Sequence, residues 1–198
     1  MTDHRAQHEI ISSNKDIDIR FYLSVDEGGY VGPHWHSSLE IIYMLEGDMQ
    51  VKCEETEEEV RAGDISIINS GEIHSFRSKK NKALVLQIPD PLLEKFIPEY
   101  ASIRFRADSH PVREAEITRL DRLKKICYDM YIVYEIQPEG YLLKFNSLLY
   151  DLLYMLLHSY SGKTPPKEAV RNNKNREQIK SILPYLDQNH DRHETLQE

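Results

Sequence analysis

The hydrophobic period changes once along this chain, between Pro89 and Pro91, and that change limits the architectures open to it. Before it, from about Asp16, short β-branched and apolar runs alternate with glycine-bearing turns. IDIRFYLSV (17–25), LEIIYMLEG (39–47), MQVKC (49–53), EEVRAGDISIINSG (58–71), HSFRS (74–78) and KALVLQIP (82–89) read as strands. Several short strands at this spacing predict a barrel or a sandwich. The acidic stretch EETEEE (54–59) between two of them reads as a solvated hairpin tip.

After Pro91 the period is helical. PLLEKFIPEY (91–100) supplies a short helix interrupted at Pro98. In 111–135, Ile117, Leu120, Leu123, Cys127, Met130 and Tyr134 share one face, with Pro111 near the start. Pro138 and Gly140 then break the chain. In 141–162, Leu142, Phe145, Leu149, Leu152 and Leu156 follow a 3-4-3-4 spacing, a heptad-like seam. Further apolar residues (Tyr141, Leu148, Leu153, Met155, Leu157) flank it. One stripe suffices to pack on a chain's own core, so the excess predicts an intermolecular contact through the seam. KTPPKEAVRNNKN reads as a linker, and 176–190 as another amphipathic helix with Pro184 inside it.

This divides the chain into an N-terminal arm (1–16), a β region (17–90), a helical segment (91–161), a linker (162–175) and a terminal piece (176–198). The fold class expected is mainly β plus α: a β-barrel followed by an antiparallel helix pair. A net charge of −8 argues against nucleic-acid binding by this stretch itself, which would call for a basic excess. Cys53 and Cys127 are far apart without metal-type spacing and read as buried thiols. No apolar run is long enough to span a bilayer, and MTDHRAQHEI lacks the layout of a secretory signal, so the expected location is cytoplasmic.

The chemistry concentrates in GGYVGPHWHSSLEIIYMLEG (28–47). Strand side chains alternate faces, so His34 and His36 point the same way, joined by Glu40 if the strand runs on unbroken. His74, just after a turn in GDISIINSGEIH (63–74), can complete the set. Three imidazoles and a carboxylate suit Zn, Ni, Fe or Mn. The same residues can instead line an effector pocket, together with Tyr22, Ser24, Ile42 and Phe76 on plausible inward positions. Trp35 has the opposite parity and faces away.

The stretch resembles the first motif of the cupin superfamily in full: Gly28, five residues, His34-x-His36, three residues, Glu40, six residues, Gly47. The second motif is partly kept in Gly63, Gly71 and His74, with Asn69 where the family has proline and Ser78 where it has asparagine. The resemblance implies a double-stranded β-barrel with metal ligands at His34, His36, Glu40 and His74. HWHSSLEIIYMLEG, AGDISIINSGEIHSFRS and the helical pair are also similar to the sensor domain of AraC-type bacterial transcription regulators. IKSILPYLDQNHDRHETLQE is similar to the opening of the DNA-binding part of that family.

That second resemblance implies a cupin-like barrel binding a small effector, a sugar or other metabolite. It also implies a homodimer through the helical segment, and DNA contacts made by a helix-turn-helix domain that starts at 176–198 and is otherwise missing from this chain. On this reading the chain is not an enzyme and has no catalytic residues. The competing reading is a metal-dependent cupin enzyme of the dioxygenase or isomerase type, with the ion as Lewis acid or oxygen-activating centre.

Overall fold

A computed structural model describes residues 6–54 and 56–163. The linker and the terminal helix with Pro184, apart from residues 162 and 163, lie outside the described residues, as do residues 1–5. Seven strands form one sheet: β1 (Gln7–His8), β2 (Arg20–Trp35), β3 (Ser38–Glu46), β4 (Asp48–Cys53), β5 (Thr56–Arg61), β6 (Ile65–Ile68) and β7 (His74–Pro89). After α1 (Asp90–Phe96) comes β8 (Ile103–Phe105), then α2 (Glu114–Ile136), α3 (Tyr141–Ser159) and β9 (Ser161–Lys163), which pairs with β8.

The organising element is β7. The two expected strands at 74–78 and 82–89 are one strand of 16 residues. One edge pairs with β2 along its length, from His34↔His74 to Arg20↔Gln87. Its other edge is shared, by β4 near its start (Cys53↔His74) and by β3 near its end (Ser38↔Pro89). β2 also runs on past the expected end at Val25 through the glycine-rich 28–32, because β7 supplies partners there and a bulge between Val31 and His34 absorbs the irregularity.

The sheet is mixed, since β1 runs parallel to β2 and the other pairs are antiparallel. Among the described residues β5 pairs only with β4 and β6 only with β3, so the expected barrel is not closed by hydrogen bonds. Chain 105–109 runs beside β6 instead. Asn69 there takes Phe105 N–H at 2.7 Å and donates to its carbonyl at 3.1 Å, while Ser109 Oγ bonds both backbone groups of Ile65.

Alternation along the strands feeds two cores. On one face Phe21, Leu39, Ile41, Leu84, Leu86 and Ile88 meet Leu120, Leu123, Cys127 and Met130 of α2 and Phe145, Leu149, Leu152 and Leu156 of α3. On the other, Ile42, Met44, Met49, Val51, Val60, Ile68 and Ala83 form a smaller cluster with Phe76 and Cys53 at its border.

This packing corrects the expected dimer seam. Phe145, Leu149, Leu152 and Leu156 are buried in the chain's own core and Leu142 packs against it, because the sheet presents an apolar face for the seam to cover. The apolar residues α3 leaves to solvent are Leu143, Tyr150 and Tyr154. On α2, Leu120, Leu123, Cys127 and Met130 are buried as expected, whereas Ile117 is exposed.

The N-terminal segment is fastened to both layers. Asn14 hydrogen-bonds the Phe21 backbone through both side-chain atoms and also donates to Tyr134, and Asp16 accepts from the hydroxyls of Tyr134 and Tyr141. Among the described residues no helix is long and apolar enough to cross a membrane.

Candidate metal centre

His34 is the last residue but one of β2, Glu40 lies in β3 and His74 opens β7, with His36 in the short link between β2 and β3. The strand is broken at 36–37, so continuous alternation does not align His36 with Glu40; the turn does. The result is close convergence. His36 Nε2 stands 2.7 Å from Glu40 Oε2 and His74 Nε2 stands 3.6 Å from the same oxygen. One ligand atom from each of His36, Glu40 and His74 lies within 4.8 Å of the others, and all three residues are buried.

Each histidine is oriented by a backbone carbonyl. Nδ1 of His34 lies 2.9 Å from Gly32 O, that of His36 3.1 Å from Ser38 O, and that of His74 2.9 Å from Glu72 O. A carbonyl only accepts, so Nδ1 carries the proton and Nε2 of a neutral ring keeps its lone pair. That tautomer, locked from outside the cluster, is the one an Nε2-ligated metal needs. His74 Nε2 is buried without a hydrogen-bond partner among the described residues. A lone pair stranded beside a carboxylate costs free energy unless a cation or proton occupies the space. These residues therefore fit a divalent ion, for which imidazole nitrogen and carboxylate oxygen are suited ligands.

In the metal-free chain the electrostatics partly compensate. Burial alone would raise the Glu40 carboxyl, but the His36 hydrogen bond and the adjacent His74 ring overcome it and hold the group at about 2. Burial likewise opposes charge on His36, yet its bond to Glu40 prevails and raises that imidazole above its ordinary value. His34 is lowered, chiefly by burial.

The four expected ligands are thus not equivalent. His34 stands beside the other three, its ring centroid 4.1 Å from that of His74 and 6.3 Å from that of His36, with Nε2 3.5 Å from Glu9 Oε2. Of the expected pocket residues, Phe76 packs its ring on His34 and His74, and Ile42 is buried in the small core. Tyr22 is exposed under the Arg20 guanidinium, 5.0 Å from its ring, and Ser24 lies half-buried opposite Ala83. Trp35 stacks on His8, 4.4 Å between centroids.

Two acidic residues had no place in the sequence-based site. Glu72, beside His74, is buried, pairs with Arg104 at 2.5 Å and supplies the carbonyl that orients His74. Glu9 arrives from the N-terminal arm, with no local pattern to announce it.

The family profile described as a cupin domain matches residues 21–88. No curated protein sequence matches the chain. A Streptococcus pyogenes protein described as of unknown function is similar at 16% identity over 37% of this chain and 66% of its own, with a TM-score of 0.35. The oxalate decarboxylase of Bacillus subtilis, described with Mn(II) centres, gives 22% over 36% of this chain and 21% of its own, with a TM-score of 0.33. The DMSP lyase DddQ of Ruegeria pomeroyi gives 27% over 37% and 39%, with a TM-score of 0.34. The chain spans less than two thirds of the two enzymes.

These matches correct the expectation that the chain is not an enzyme. Solved structures similar to it include an oxalate decarboxylase and a DMSP lyase. Residues 21–88, which hold His36, Glu40 and His74 in place, are the stretch that matches the cupin-domain profile.

Proposed function

We propose that the chain is the effector-sensing and dimerisation part of an AraC-type transcription regulator, with a divalent ion at the floor of its effector pocket. The observation that carries this reading is the helical hairpin. α2 and α3 fold back over the sheet, and α3 still presents Leu143, Tyr150 and Tyr154 to solvent. A second copy of the chain is the partner for that face. The effector, a sugar or other small metabolite, would enter beside His34 and Phe76, and DNA would be contacted by a helix-turn-helix domain. Effector binding switches such a protein only by favouring one arrangement of the pair over another.

A second reading is favoured by the unpartnered His74 Nε2 next to Glu40: a metal-dependent cupin enzyme in which the same ion acts as Lewis acid. One experiment separates the two. Sugars and small metabolites are screened by thermal shift, and each stabilising compound is recovered and weighed by mass spectrometry. A compound that stabilises and returns intact supports the sensor; one that returns transformed supports the enzyme and displaces the sensor reading. The ion itself is tested by elemental analysis of protein purified without a nickel column, alongside His36→Ala. The variant is expected to lose most of the metal, and equal content in both would remove His36 from the site.

A further inference from the structure

We propose that Glu9 supplies a second carboxylate to the divalent cation held by His34, His36, Glu40 and His74, so that the bound ion fastens the N-terminal segment over the site. The inference rests on the reading of this cluster as an ion centre.

The backbone places Glu9 at the cluster independently of its side chain. β1 pairs Gln7 with His34 and His8 with Trp35, Glu9 N–H donates to the Trp35 carbonyl at 2.9 Å, and the His8 ring lies on Trp35. One carboxylate oxygen, Oε1, takes Arg20 Nη1 at 3.3 Å. The other, Oε2, faces His34 Nε2 at 3.5 Å. Because His34 gives its Nδ1 proton to Gly32 O, a neutral ring sets a lone pair against this carboxylate oxygen. Two acceptors facing each other repel, and a cation between them turns that repulsion into attraction.

A proton on Nε2 would draw the pair into the usual hydrogen-bond range of about 2.7–3.2 Å. Two neighbouring ligands each about 2.1 Å from one five-coordinate ion stand about 3.0–3.6 Å apart. The observed gap is close to that spacing, as is the 3.6 Å between His74 Nε2 and Glu40 Oε2. The His36–Glu40 contact at 2.7 Å is, by contrast, a hydrogen bond.

Glu9→Gln keeps the length of the side chain and all the backbone contacts of β1, and removes only the charge and one ligand oxygen. The test titrates Zn(II) into wild type and variant against a chromogenic chelator. It records the visible spectrum of both loaded with Co(II), and follows trypsin cleavage of the N-terminal segment at Arg5 with and without ion. Expected are a loss of affinity of about tenfold or more in Glu9→Gln, a changed Co(II) spectrum, and ion-dependent protection of the segment in wild type alone. Equal affinity, or weaker binding with an unchanged Co(II) spectrum, overturns ligation by Glu9 and leaves the ion centre standing. A wild type that binds neither ion overturns the centre and Glu9's role together.

Discussion

Gly47 shows how much one residue can carry at the join of two strands. Its φ is +82°, a conformation L side chains rarely adopt. An added Cβ would run into the Lys80 carbonyl and lie 2.9 Å from the Asn81 Cα. Gly47→Ala is expected to destabilise the chain by about 1–3 kcal/mol or more, read by urea unfolding, since neither backbone contact can swing aside. A loss below half a kcal/mol would mean that the β3–β4 link relaxes freely. At this scale the site was largely legible. The spacing of His36 and Glu40 and the position of His74 marked three residues that the structure brings together, while His34 stands beside them. The reason offered for their convergence was not the real one, because the strand stops at His36 and the turn does the aligning. Glu9 was illegible, since a two-residue parallel pairing across 27 positions leaves no periodic trace.

Among the elements, α3 separates pattern from partner. Its heptad-like spacing correctly marks an apolar seam, but spacing alone does not say whether the surface opposite belongs to the same chain. Here β7, β3 and β2 provide it. Two substitutions distinguish the faces. Leu152→Ala, at a fully buried position, is expected to cost about 2–5 kcal/mol of stability. Tyr154→Glu, at a position 66% exposed, should leave the melting temperature within a degree or two and shift sedimentation of the proposed dimer to monomer. A dimer unaffected by Tyr154→Glu would move the contact elsewhere. The strand elements were misdivided, since 58–71 holds two strands, β5 and β6, and 74–89 is a single one. Residues 26–35 and 79–81 look like loops in isolation, yet 26–28 pairs with 79–81 and 29–34 with 74–78.

For the molecule as a whole, the buried ion-pairing group sets a pH window. Glu40 is held near 2, below its ordinary 4.5, so its contribution is present above 4.5 and fades as pH falls toward 2. His36 is raised above 6.5, so its contribution is complete below 6.5 and fades as pH climbs through the raised value. The metal-free protein is therefore expected to resist urea best between about pH 4.5 and 6.5. Adding Zn(II) should move the optimum upward, because the ion competes with protons for the imidazoles. An optimum above pH 8 without metal would contradict the His36–Glu40 pairing.

β7 has a further consequence. Its Ala83 belongs to the small core beside the histidines, while Leu84, Leu86 and Ile88 belong to the layer under α2 and α3. His74 and Phe76 extend the same strand to the cluster. The two compartments therefore share a party wall one residue thick, with no cushioning layer between them.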